Sequence, residues 1–210
     1  MSILFAFLCA GISGLSTFMA IKKWPQKSKT KHLPLLCLIG SCVIGAACGW
    51  MIPVRVEFWT NYIRILLVVA VLAGTVYTDL DDHRIPNLYP LVLAGGFCAV
   101  TVLDFLSMPE AAGSVFIGGI VGGVVIFLIL RLFRFLSRGG IGYGDIKLLS
   151  AMGAVLGIYG TVSTLFLAQL IALVVALGLL IAKKATMKDS LPFAPFFYLG
   201  FLATLFLGTF

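Results

Sequence analysis

The sequence predicts an all-α, polytopic membrane bundle of about eight transmembrane helices, on three observations. Of 210 residues, 61% are hydrophobic and only 11% charged, with a mean hydropathy of +1.13; a soluble fold of this length has too little interior for so much apolar surface. Apolar segments recur as far as the last residue, unlike a lone N-terminal signal segment. The basic residues collect in alternate gaps between those segments.

Apolar runs bounded by charges and turn residues place helices at 2–21, 33–53, 62–78, 87–106, 113–133, 146–159, 161–182 and 192–210. Eight spans of about 20 residues use roughly 160 positions, so 1–210 is expected to be one membrane domain with no separate soluble domain. The third and sixth runs are short, and each abuts an acidic motif. A helix ending inside the protein at a water-accessible site explains both features, because irregular backbone at membrane depth needs protein or water to satisfy it. Small-xxx-small spacing at Gly118, Gly119, Gly122 and Gly123, and again at Gly153 and Gly157, predicts close helix packing. Arg64, near the start of the third run, is expected to reach the outer interface.

Loops 22–32 and 183–191, the region 131–147 and Arg84 hold 13 of the 15 basic residues, leaving Arg55 and Arg64 on or near the other side. Lysine and arginine in short loops mark the cytoplasmic side, so both termini are expected outside. The formal net charge of +7 is therefore a topology signal and a weaker sign of anionic-lipid contact, with no nucleic-acid partner implied. Collagen, disordered chains, disulfide scaffolds and cytosolic dinucleotide-binding enzymes are excluded by composition. Cys9, Cys37, Cys42, Cys48 and Cys98 all lie in apolar stretches, without a CxxC pair or a neighbouring histidine. They read as packed small hydrophobes, and no metal site is expected.

Asp79, Asp81, Asp82, Asp145 and Asp189 fall on the expected cytoplasmic side, and Glu57, Asp104 and Glu110 on the other. The inner acids cluster in two motifs. Residues 78–87 read TDLDDHRIPN, with Asp79 where the third helix is expected to end and Pro86 suited to starting the fourth. Residues 139–148 read GGIGYGDIKL, four glycines in six residues before Asp145. Each half has an ordinary reading, Asp145 as a helix N-terminal residue and Asp79 as an interfacial loop acid. Jointly they point to function, since ionisable groups at membrane depth are costly without a role.

Two neighbouring carboxylates share a proton and so provide one general base and one general acid, the pair that hydrolysis of a peptide by water requires. His32 and His83 are the only histidines, and His83 suits capping a loop or tuning Asp79 better than acting as a base. An ion-coupled transporter would use the same carboxylates, but these acids lie at one face and no internal repeat is present. A third alternative has Asp79, Asp82 and Asp145 holding Mg²⁺ against lipid headgroups.

The run DLDDHRIPN from Asp79, together with GYGD at 142–145 followed by IKLLSAMGAVLG, resembles the GxGD aspartyl peptidases of the type IV prepilin and preflagellin peptidase group. PFAPF at 192–196 looks like the proline-rich start of that family's last helix, so the resemblance covers nearly the whole chain. It implies an aspartic endopeptidase with Asp79 and Asp145 as the catalytic pair, leaving open whether Asp81 or Asp82 shares the role of Asp79. Gly142, Gly144, Pro86, Asn87 and Lys147 would support the site or bind substrate, and no cofactor is implied. Partners would be pilin-like precursors with a short basic leader and an apolar helix, cut after a glycine at the cytoplasmic face of the bacterial inner membrane. Larger bifunctional members carry paired CxxC motifs in a domain between their first two helices; KKWPQKSKTKH, without cysteine, stands there in this chain, so no methyltransferase activity is expected. The helix ends suggest roles: Asp145 at a positive helix start as base, helped by Lys147, and Asp79 at a negative helix end as acid.

Overall fold

The computed structural model describes residues 2–24, 32–55, 59–138, 140–183 and 191–208. Lys27, Lys29, Lys31, Glu57, Gly139, Lys184, Lys188 and Asp189 lie outside the described residues, so part of the charge pattern behind the expected orientation does too. The described residues are all-helical: α1 (Ser2–Lys23), α2 (Leu33–Arg55), α3 (Trp59–Asp82), α4 (Leu88–Ser107), α5 (Pro109–Leu136), α6 (Tyr143–Ile181) and α7 (Ala194–Leu207). Six of them are long and apolar enough to cross a membrane. Phe7, Phe18, Leu106, Phe135 and Ile181 stand exposed on the bundle surface, as expected where lipid replaces water.

The sixth and seventh expected helices are the two limbs of α6, 143–156 and 158–181, separated at Gly157. Gly157 has φ 75° and ψ 179°, a backbone region open essentially to glycine alone. The chain folds back there. A Cβ on Gly200 would lie 2.7 Å from both the Thr164 carbonyl and the Ala168 amide, and the Thr164 and Thr204 hydroxyls are 3.3 Å apart. The second limb therefore runs antiparallel to α7, while the first runs antiparallel to α5 through equally close contacts. A Cβ on Gly122 would lie 2.4 Å from the Gly153 carbonyl, and one on Gly119 would lie 2.6 Å from the Ala154 carbonyl. The small residues at 119, 122, 123 and 153 thus let backbones touch, and Gly45 and Gly49 do the same for α2 against α1, whereas a Cβ on Gly118 or Gly157 would meet nothing within 4 Å, so these two do not serve the close packing expected of them.

Helix α3 is the axis of the bundle. It packs against every other helix except α5, and Val68, Val69, Leu72 and Ala73 are fully buried in it. Two expectations about it change. It does not stop short at residue 78 but continues to Asp82, so Asp79 sits in its last turn. His83 ends it, adopting left-handed φ 49° and donating its backbone N–H to the Asp79 carbonyl at 3.0 Å, the αL form of helix termination. Arg64 does not reach outward. It is buried and paired, through Nη2 and Oδ2, with buried Asp104 of α4, because an ionised group packed between helices needs a counter-charge.

Candidate active site

Three chain segments meet around Asp79. The first is α3 itself, in whose last turn Asp79 is 6% exposed. The second is the start of α7, where the Ala194 N–H donates to Asp79 Oδ2 at 2.8 Å and the Phe193 amide stands beside it. The third is the first turn of α6, which carries Asp145. The Asp79 charge acts on Asp145. Asp81 and Asp82 are half-buried beside a separate hollow of about 360 Å³, walled also by Trp24, Pro86 and Asn87, and Arg84 Nε lies 3.7 Å from Asp82 Oδ2.

The two glycines of GYGD have distinct geometric duties. Gly142 immediately precedes α6 in extended conformation, φ −66° and ψ 143°. A Cβ there would lie 2.8 Å from Asp145 Oδ2, so the absent side chain makes room for the carboxylate. Gly144 faces the other motif: its Cβ would lie 3.0 Å from Ile85 Cβ and 3.4 Å from the Ile85 carbonyl. Glycine at 144 thereby lets the first turn of α6 rest on the connection after α3, where the two acidic motifs touch.

Pro86 and Asn87 lie in that connection, just ahead of Leu88: Pro86 stands beside the helix start, as expected, and Asn87 is one residue outside α4 rather than its first. Lys147 does not turn toward Asp145. Its Nζ donates to Asn87 Oδ1 at 3.0 Å, joining the first limb of α6 to the start of α4. On an α-helix, residues two apart point to nearly opposite sides, so Asp145 facing α3 sends Lys147 toward α4.

The expected contrast between helix ends is also altered. Asp145 is in the first turn of α6, while Asp79, although in the last turn of α3, receives an amide from the first residue of α7. Both carboxylates therefore meet a positive helix N-terminus, and helix dipoles do not distinguish acid from base. The α7 amide is the feature sequence reasoning missed. PFAPF marks a helix start, but nothing local says that this start lands on a residue 115 positions away.

Among the described residues no group of three or more potential ligand side chains is arranged to hold a metal ion. Hydrogen-bond donors and acceptors, two interacting carboxylates and a half-open position at Asp145 make the site suited to moving protons to and from a water molecule.

Residues 65–177 match the model of the type IV leader peptidase family. The chain is 32% identical over 143 residues to a prepilin leader peptidase/N-methyltransferase of Aeromonas hydrophila, covering 67% of this chain and 48% of that protein. It is 37% identical over 134 residues to the protein of the same description from Burkholderia pseudomallei, covering 62% and 42%. Against the one from Bacillus subtilis it is 27% identical over 164 residues, covering 77% and 60%. The chain thus spans about half the length of the first curated relatives it matches. No solved structure matches it.

Proposed function

The chain belongs to the type IV leader peptidase family, whose model matches more than half of it, and on that premise we propose that it is an aspartic endopeptidase that removes the basic leader of pilin-like precursors. Asp79 and Asp145 act as its general acid and base, at the cytoplasmic face of the inner membrane. The observation that carries this reading is the contact of the two acidic motifs at Gly144 and Ile85, which brings together segments whose aspartates are 66 residues apart in sequence, with Asp79 buried and held by an α7 amide.

In the proposed reaction one carboxylate is ionised and the other protonated. The ionised one takes a proton from a water molecule as the water oxygen bonds to the scissile carbonyl carbon, and the protonated one gives its proton to the carbonyl oxygen. The tetrahedral adduct then collapses: the C–N bond breaks, the departing nitrogen receives the proton first removed from water, and a hydroxyl proton returns to the second carboxylate. Asp79 has Oδ2 tied to Ala194, which leaves Oδ1 for this traffic and fixes its direction. Gly142 and Gly144 shape the site, while Asn87 and Lys147 brace it.

The precursor's leader is recognised in the cytoplasm and its apolar helix lies in the bilayer beside the enzyme. Nucleic acid has no part in the reaction. The activity is proteolytic without methyl transfer, because the segment between α1 and α2 has no cysteine pairs; methylation of a cleaved product by the purified protein from labelled S-adenosylmethionine contradicts that point.

The test is leader cleavage of a pilin-like precursor in membranes by the wild type, Asp79→Asn and Asp145→Asn at equal expression. Each substitution is expected to leave less than about 1% of the wild-type rate, the scale of a lost acid–base group. Cleavage surviving both changes refutes the dyad.

A further inference from the structure

Beyond the dyad, one side chain ties the glycine-rich segment before Asp145 to the rest of the bundle. Arg134, in the last turn of α5, makes two different contacts with that segment. Its Nη1 donates to the Ile141 carbonyl, and its guanidinium stacks over the Tyr143 ring at 3.9 Å from the centroid. Arg131, one turn back, approaches the same ring at 5.9 Å. The residues between these two anchors and immediately after them are Gly142, Gly144 and Asp145.

The need for such an anchor is physical. Glycine restricts its own backbone least of all residues, and the GYGD segment contains two. Gly142 is tied locally through the Asp145 carboxylate at its backbone amide, a bond that links these two residues to each other but not to the bundle, and Gly144 only leans on Ile85. The exact position of Asp145 must then be set from outside. A planar guanidinium can bond a carbonyl with one edge while its face lies on an aromatic ring, and a lysine ammonium cannot do both.

We propose that Arg134 is a positioning residue for the Asp79–Asp145 pair: by clamping the Ile141 carbonyl and the Tyr143 ring it fixes the glycine segment that aims Asp145. The proposal rests on the peptidase reading above. Arg134 touches neither aspartate and takes no proton. Its positive charge also belongs to the cytoplasmic basic pattern, and that is a separate role. Topology uses the charge, which lysine supplies equally, whereas positioning uses the planar fork, which lysine lacks.

The experiment compares wild type, Arg134→Lys and Arg134→Gln in two measurements on purified protein in detergent micelles. The first is steady-state cleavage of a synthetic precursor with a lysine-containing leader, a glycine at the cut and an apolar helix. Both variants are expected to lose about 10- to 100-fold in kcat with KM changed by less than about threefold, because displacement of a reacting group by a fraction of an ångström to 1 Å has effects of that order. The second is amide hydrogen exchange of residues 141–145, expected to speed in both variants while the α3 core keeps its protection. Wild-type kcat in Arg134→Lys, or unchanged exchange at 141–145 in both variants, overturns the proposal. Failure of the wild type to cleave at all overturns the peptidase reading instead, and the exchange measurement still decides whether Arg134 orders the segment.

Discussion

Replacing Gly142 by alanine separates the shape of the site from the stability of the fold. The backbone at 142 is extended and accepts alanine without strain. The new Cβ, however, would stand 2.8 Å from Asp145 Oδ2, 0.6 Å inside the 3.4 Å at which ordinary contact begins. The carboxylate is the movable partner and must retreat by about that much. Losing glycine at a helix-capping position lowers stability by less than about 1 kcal/mol, so the protein should fold and melt nearly as the wild type does. Catalysis should respond more. A 1 Å misplacement costs about 100-fold, so a shift near 0.6 Å predicts a loss of about tenfold in kcat, or about 1.4 kcal/mol of barrier, with little change in KM. The assay is precursor cleavage at saturating and limiting substrate beside a thermal melt in the same detergent. Unchanged kcat with an unchanged melt, or an effect on KM alone, refutes the claim that Gly142 makes room for the Asp145 carboxylate.

Two further predictions concern other parts of the molecule. Removing one member of the buried Arg64–Asp104 pair, by Arg64→Met or Asp104→Asn, should destabilise the bundle by about 3–5 kcal/mol. Replacing both with apolar residues should recover most of that loss; thermal unfolding of the two singles and the double checks it, and a double variant as weak as the sum of the singles contradicts it. Cleavage should continue undiminished in excess EDTA, since a carboxylate dyad supplies its own acid and base, whereas activity lost to chelation and restored by Mg²⁺ supports the metal-holding arrangement of Asp79, Asp82 and Asp145.

Hydropathy and charge are properties of each residue in its own neighbourhood, and they made the membrane bundle and its apolar segments legible from the chain alone. The same holds for the two acidic motifs, because a carboxylate at the edge of an apolar run stands out without any knowledge of its partners. A boundary between two runs was legible near residue 160, but not that Gly157, expected inside a packed helix, is the residue that breaks it at φ 75°. What remained hidden depends on contacts between residues far apart in sequence. Local pattern does not say that Asp79 is the acid of its motif that α3 buries, nor that α7 delivers the Ala194 amide to it. Lys147 stood two residues from Asp145, but helix geometry turned it to Asn87. Arg64 looked like an interface residue until α4 placed Asp104 opposite it. Which residues must leave water, and which carboxylates stand at the edges of apolar runs, follows from the chain alone, since transfer free energy is assigned residue by residue. Which charged groups meet follows from packing, because it depends on how α3, α4, α6 and α7 come together.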